Sequence, residues 1–212
     1  MATTQSLTTD TWVRASWEEF LALADRLEQQ KGRFYYDDGC MRIEMAAVGP
    51  IHGRDNSVVA RTISLFATVK SIRIVEYTNT SFRKARVREC QPDSSFYIGA
   101  DFRLPPRTNS PVDVNQYDPP TLVIKIASTT LSDDLGRKRL LYERLGVREY
   151  WVVDVSTNEA IAFKMLDGGS RQIQDSKVLE GLKIATVEEA LRRSQTEDDG
   201  AINRWLLQTF SG

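Results

Sequence analysis

The sequence predicts an α/β fold, with some α+β character, in which a mixed central sheet is flanked by helices. Three observations carry that prediction. Thr121 to Ala127 (Thr-Leu-Val-Ile-Lys-Ile-Ala) is apolar on both alternating faces apart from one lysine, the pattern of a strand covered on both sides. After a helical stretch comes Glu149 to Val155 (Glu-Tyr-Trp-Val-Val-Asp-Val), a second run of the same kind, so strand, helix and strand read as a βαβ crossover with parallel strands. Hairpin patterns frame this unit, one near the N-terminus and one, an edge hairpin, toward the C-terminus.

The elements follow in order. Met1 to Asp10 are small and polar, and a loose segment is expected there, with one domain over 11–212. Ser16-Trp17-Glu18-Glu19 is a capping box that opens a helix running to about Glu28. Arg33 to Asp37 and Met41 to Met45 are short strands around the turn signal Asp38-Gly39. Arg54 to Val69 has helical spacing, and Ile72 to Tyr77, Ser81 to Val87 and Asp93 to Ile98 read as strands. Pro105 to Pro120, rich in Pro, Asn and Asp, is a loop. Ser132-Asp133-Asp134 caps a helix that ends near Gly146, with acids in its first turn. Ala160 to Met165 and Arg171 to Gln174 form the edge hairpin across Asp167-Gly168-Gly169, and short helices over about Thr186 to Arg193 and Gly200 to Phe210 finish the chain.

Composition narrows the function classes. The 212 residues are 41% hydrophobic with a net charge of −1, so no bulk basic field announces nucleic acid, although a local basic cleft is compatible with that total. Cys40 and Cys90 are far apart and read as free thiols in a reducing compartment. A single histidine, His52, argues against a multi-histidine metal site. No apolar run reaches membrane-spanning length and no signal-peptide pattern opens the chain, so the cytoplasm is the expected location.

Five residues stand out chemically. Lys138 shares the apolar stripe of Leu135, Leu141, Tyr142 and Leu145, which aims it at the sheet; it requires a carboxylate or anionic ligand there, unless its stem packs and its head reaches solvent. Lys125 interrupts an otherwise apolar strand near its carboxyl end, where clefts form in open parallel sheets. Its ammonium must reach a carboxylate or a water-filled cleft, or lose its proton, and a structural ion pair is the plain alternative to a functional role. Asp93 follows Pro92 at a strand start, equally the place of a turn residue. Glu44 alternates with Ile43 and Met45, which turns it to the opposite face and toward solvent. His52 lies at a helix start after Gly49-Pro50, a common place for a structural histidine. Arg83, Lys84, Arg86 and Arg88 crowd one segment, either a phosphate-binding face or a charged edge strand guarded against aggregation.

Several motifs recur in a fixed order: Met41-Arg-Ile-Glu-Met45, Val48-Gly-Pro-Ile-His52, Gln91-Pro-Asp-Ser94 and Pro119-Pro-Thr-Leu-Val-Ile124. Asp133-Asp-Leu-Gly-Arg-Lys138, Leu141-Tyr-Glu143 and Gly146-Val-Arg-Glu-Tyr-Trp151 complete the series. In these the chain resembles the Uma2 family, abundant in cyanobacteria and once called a domain of unknown function, over about Ser16 to Phe210. The resemblance implies a restriction-endonuclease-like fold of the PD-(D/E)XK superfamily. In that superfamily an aspartate and a second acid hold a divalent ion, Mg²⁺ or Mn²⁺, and a lysine helps to orient the attacking water on DNA. Carried over by position, Asp93 resembles the Pro-Asp metal ligand and Lys138 the family lysine, moved onto the helix. Glu44 and His52 match family positions of less defined role.

Lys125 departs from the pattern, because relatives resembling this chain carry glutamate there. An ammonium in place of a carboxylate repels a metal ion and competes for Asp93. Two unit charges about 4 Å apart interact by about 4 kcal/mol at an effective dielectric near ~20. The sequence therefore yields two readings: a metal-dependent endonuclease impaired at position 125, or a non-catalytic nucleic-acid-binding or scaffolding protein on the same fold. A homodimer is compatible with either.

Overall fold

The computed structural model describes residues 9–27, 32–45 and 49–212. The expected loose segment lies almost wholly outside these residues, as do Glu28, the expected end of the first helix, and Val48. The first described elements are β1 (Val13–Arg14), α1 (Trp17–Leu27), β2 (Arg33–Asp37) and β3 (Cys40–Glu44). The capping box holds as expected: the Ser16 amide donates to Glu19 Oε2 at 2.7 Å and the Glu19 amide to Ser16 Oγ at 3.2 Å. The β2–β3 hairpin turns through Asp38 and Gly39, both at positive φ (45° and 78°), which matches the twist of the flanking strands.

The chain continues through α2 (Pro50–Val69), β4 (Ile74–Thr78), β5 (Phe82–Lys84), β6 (Arg88–Cys90), β7 (Ser94–Ile98) and the short β8 (Val112–Asp113). Here one expectation is corrected. Ser81 to Val87 is not a single strand, because Arg86 takes φ 65° and the chain reverses into a hairpin between β5 and β6. Lys84 and Arg88 stand opposite each other across this hairpin and share a face, with Arg83 on the other. Arg83 pairs with Glu89, and Arg88 Nε lies 3.0 Å from Asp37 Oδ1.

β9 (Leu122–Ala127) and β10 (Glu149–Asp154) are buried along their whole lengths and pair in parallel, as the crossover requires. The helical connection differs from the expectation. It opens after Thr130 rather than at Ser132, and it breaks at Gly136 into α3 (Leu131–Leu135) and α4 (Arg137–Leu145). A Cβ at residue 136 would lie 2.9 Å from the Ser132 carbonyl oxygen, so this tight junction excludes a side chain. β11 (Glu159–Leu166) and β12 (Gly169–Ile173) form the edge hairpin, followed by α5 (Ile184–Arg193) and α6 (Asp199–Ser211).

The strands divide between two mixed sheets, ordered β1-β3-β2-β6-β5-β8 and β12-β11-β10-β9-β7-β4. Alternation sorts the residues of β9 between two cores. Leu122, Ile124 and Ile126 pack with residues of α2, α5 and α6, whereas Val123 and Ala127 pack with Tyr35, Cys90, Leu141 and Tyr142. Lys125 lies in the second set by register, so it points between the two sheets. A third cluster joins Trp17 and Phe20 of α1 to Phe34, Tyr36 and Ile43. Among the described residues no helix is long and apolar enough to cross a membrane.

Candidate functional site

Strand register builds most of the site. β2 and β3 pair antiparallel with Arg33 opposite Glu44 and Tyr35 opposite Arg42. Period two therefore places these four side chains on one face, turned toward β9 and α4. Asp93 immediately precedes β7, and its backbone is fixed on both sides: its amide donates to the Ile124 carbonyl, and its carbonyl accepts from the Asn79 amide. α2 begins at Pro50, which sets His52 in its first turn.

These elements bring the five residues singled out from the sequence into one buried region. Lys125 Nζ lies 3.0 Å from Asp93 Oδ2. The same carboxylate oxygen accepts the Ile126 amide at 2.8 Å. Asp93 Oδ1 faces Arg33 Nη2 at 2.5 Å and His52 Nε2 at 3.1 Å. Lys138 meets Glu44 Oε1, with Asp134 Oδ1 at 2.9 Å and Asp133 Oδ2 at 3.4 Å. The expectation that Glu44 faces solvent is corrected: it is buried, because the face opposite Ile43 looks inward onto α4. Lys138 is fully buried within its stripe, so its ammonium does not reach solvent.

Six residues of the cluster escaped the sequence reading as site residues. Arg33 and Tyr35 alternate on β2, and Arg42 precedes Glu44 by two on β3, so strand periodicity was the signal that could have found them. Arg42 Nε lies 2.9 Å from Glu44 Oε1 and 3.3 Å from Asp133 Oδ2. The Trp12 indole N–H donates to Asp133 Oδ1 at 2.7 Å. Asp133 and Asp134 lie in the first turn of α3, as expected of helix-start acids, and both also hold Lys138. Tyr35 joins the two halves. Its hydroxyl accepts from Lys125 at 3.0 Å and donates to the Gln91 carbonyl at 2.9 Å, while the two ammonium groups lie 5.6 and 4.7 Å from its ring centre.

The charges tune one another. Burial alone would raise the Asp93 carboxyl, but Lys125, His52 and Arg33 outweigh it and hold the group far below the usual carboxylate range. Burial is likewise overcome at Glu44, which Lys138, Lys125 and Arg42 keep lowered. At Lys138 burial and the repulsion of Lys125 act downward, yet the carboxylates of Asp134 and Glu44 lift the ammonium above an ordinary lysine. Burial keeps Tyr35 a neutral phenol.

The donor set does not fit a divalent ion. Both oxygens of Asp93 are already engaged, Oδ1 in ion pairs with Arg33 and His52, and Oδ2 by Lys125 and the Ile126 amide. Against Asp93 stands the buried ammonium of Lys125, where a second carboxylate would be needed beside it to hold a cation. Among the described residues no group of three or more His, Cys, Asp or Glu side chains is arranged to hold a metal.

Comparison with known proteins gives a consistent picture. The family model Uma2, described as "Putative restriction endonuclease", matches residues 17–200. A solved structure described as a putative nuclease belonging to DUF820, from Anabaena variabilis ATCC 29413, superposes with a TM-score of 0.55 at 16% identity. That likeness covers 84% of this chain and 99% of the other, and at such identity it speaks for the fold. No curated protein matches the chain.

Proposed function

Since the chain belongs to the Uma2 family, we propose that it is a nucleic-acid-directed domain of the endonuclease type in which metal-dependent phosphodiester cleavage is suppressed at residue 125. One observation carries the reading: the buried ammonium of Lys125 lies 3.0 Å from Asp93 Oδ2. A divalent ion would have to displace a buried ammonium, and removing one partner of a buried pair costs about 3–5 kcal/mol. A glutamate at this position, as the resemblance implies for the family, would join Asp93 in holding a divalent ion that polarises water and neutralises charge at the phosphate. In this chain the remaining residues can still meet nucleic acid, with Arg33 and His52 partly exposed beside Asp93.

Cleavage of double-stranded DNA in Mg²⁺ or Mn²⁺ tests the reading, with wild type and Lys125→Glu compared. Wild type is expected to cut at least a hundredfold more slowly than Lys125→Glu, and titration calorimetry to show no micromolar Mg²⁺ binding to wild type. Efficient metal-dependent cutting by wild type would refute suppression. If neither protein cuts but both bind DNA with strong salt dependence, the non-catalytic binding reading replaces it.

A further inference from the structure

The buried cluster is electrically closed. Its carboxylates are Glu44, Asp93, Asp133 and Asp134, and its cations are Arg33, Arg42, Lys125 and Lys138, four of each sign, each in an ion pair with at least one of the opposite sign. Tyr35 adds no charge. His52 and Asp55, one helical turn apart on α2, stand outside this count. Six members of the cluster (Asp93, Lys125, Lys138, Asp134, Glu44 and Arg42) are buried, so little water is available to screen an imbalance.

We propose that Lys125 is a tethered counter-cation that keeps this pocket neutral without metal, and that reversing its charge converts the pocket into a divalent-cation site. With glutamate at 125, three cations would face five carboxylates, a net charge of minus two, and two of those carboxylates would adjoin where Lys125 Nζ now sits 3.0 Å from Asp93. That is the charge and oxygen chemistry a Mg²⁺ or Mn²⁺ ion complements. A neutral residue at 125 leaves minus one and no second carboxylate. The inference concerns what stabilises the buried charges, so it holds or fails whatever the protein acts upon.

Thermal unfolding of the full chain tests it without any activity assay. Wild type is expected to show the same midpoint in EDTA and in millimolar Mn²⁺. Lys125→Glu in EDTA should melt roughly 10 °C lower, and Mn²⁺ should restore at least half of that loss, saturating with concentration. Lys125→Met should also melt lower but recover no more than wild type gains. Equal recovery by Lys125→Met, or no recovery by Lys125→Glu, including a chain that stays unfolded in saturating Mn²⁺, overturns the cation site. A double-mutant cycle on Asp93→Asn and Lys125→Met tests the counter-ion role separately. The double variant should lose clearly less than the sum of the single losses, and strict additivity would overturn that role.

Discussion

Tyr35 stands between two buried ammonium groups that repel each other, and its hydroxyl serves as acceptor to one of them and donor to a backbone carbonyl. Tyr35→Phe keeps the ring but leaves Lys125 and the Gln91 carbonyl each one partner short. The expected loss is about 1–3 kcal/mol, read as a lower midpoint in urea unfolding with an unchanged slope. At this scale the sequence disclosed the charged residues that break an apolar pattern, Lys125 and Lys138, because a lone charge in an apolar stripe is conspicuous. It did not disclose Tyr35, Arg33 or Arg42. A tyrosine or an arginine on a short strand is ordinary, and only the register between β2 and β3, with the packing of that sheet over β9, shows that they face the same carboxylates. Glu44 was misdirected for a related reason: alternation gives opposite faces, but which face is inward depends on α4 packing over it.

Among the elements, the parallel pair β9 and β10 was legible because a strand covered on both faces has a nearly continuous apolar run. The hairpin over residues 82–90 was not, since its reversal rests on Arg86 in a left-handed conformation that composition does not announce. The helical crossover was legible in extent but not in its break at Gly136, where backbone crowding rather than pattern decides. Its far end is clearer. Gly146 closes α4 at φ 96°, and its amide bonds back to the Glu143 and Tyr142 carbonyls. Gly146→Ala would force a side chain into the left-handed region with its Cβ 3.3 Å from Pro119 Cγ. The expected cost is about 1–2 kcal/mol, measured by chemical denaturation, and it should leave the β9–β10 amides as protected from hydrogen exchange at sub-global openings as before.

The whole molecule carries its buried charge into its pH response. Asp93 and Glu44 are held below the ordinary carboxylate range in the folded chain. Below about pH 4 the unfolded chain takes up protons that the folded chain refuses, so stability falls steeply there. Asp55 acts in the opposite sense. Burial raises its carboxyl, and neither of its oxygens has a hydrogen-bond partner among the described residues, so protonation relieves a strain of the folded state. Urea midpoints from pH 8 downward should therefore rise slightly in mild acid and collapse below about pH 4; Asp55→Asn should shrink the rise, leaving the share of Glu76, whose carboxyl burial also raises, and should not remove the collapse. A monotonic decline from pH 8 in the unsubstituted protein would contradict this assignment.

The grip of Asp199 on Arg54 and Arg61 links the last helix to the one that carries His52, while Phe210 stacks edge-on against Phe66 at 5.1 Å. The imidazole is thus steered from behind, by a lever whose handle lies some 150 positions further along the chain. Asp93 and Lys125 belong to the sheet and do not share that lever. Loosening the handle should swing the ring away first and leave the strand-borne pair clasped, so the pocket comes apart in two stages. With one histidine in the chain, its ring Cε1 proton signal is assigned without ambiguity and reports the first stage.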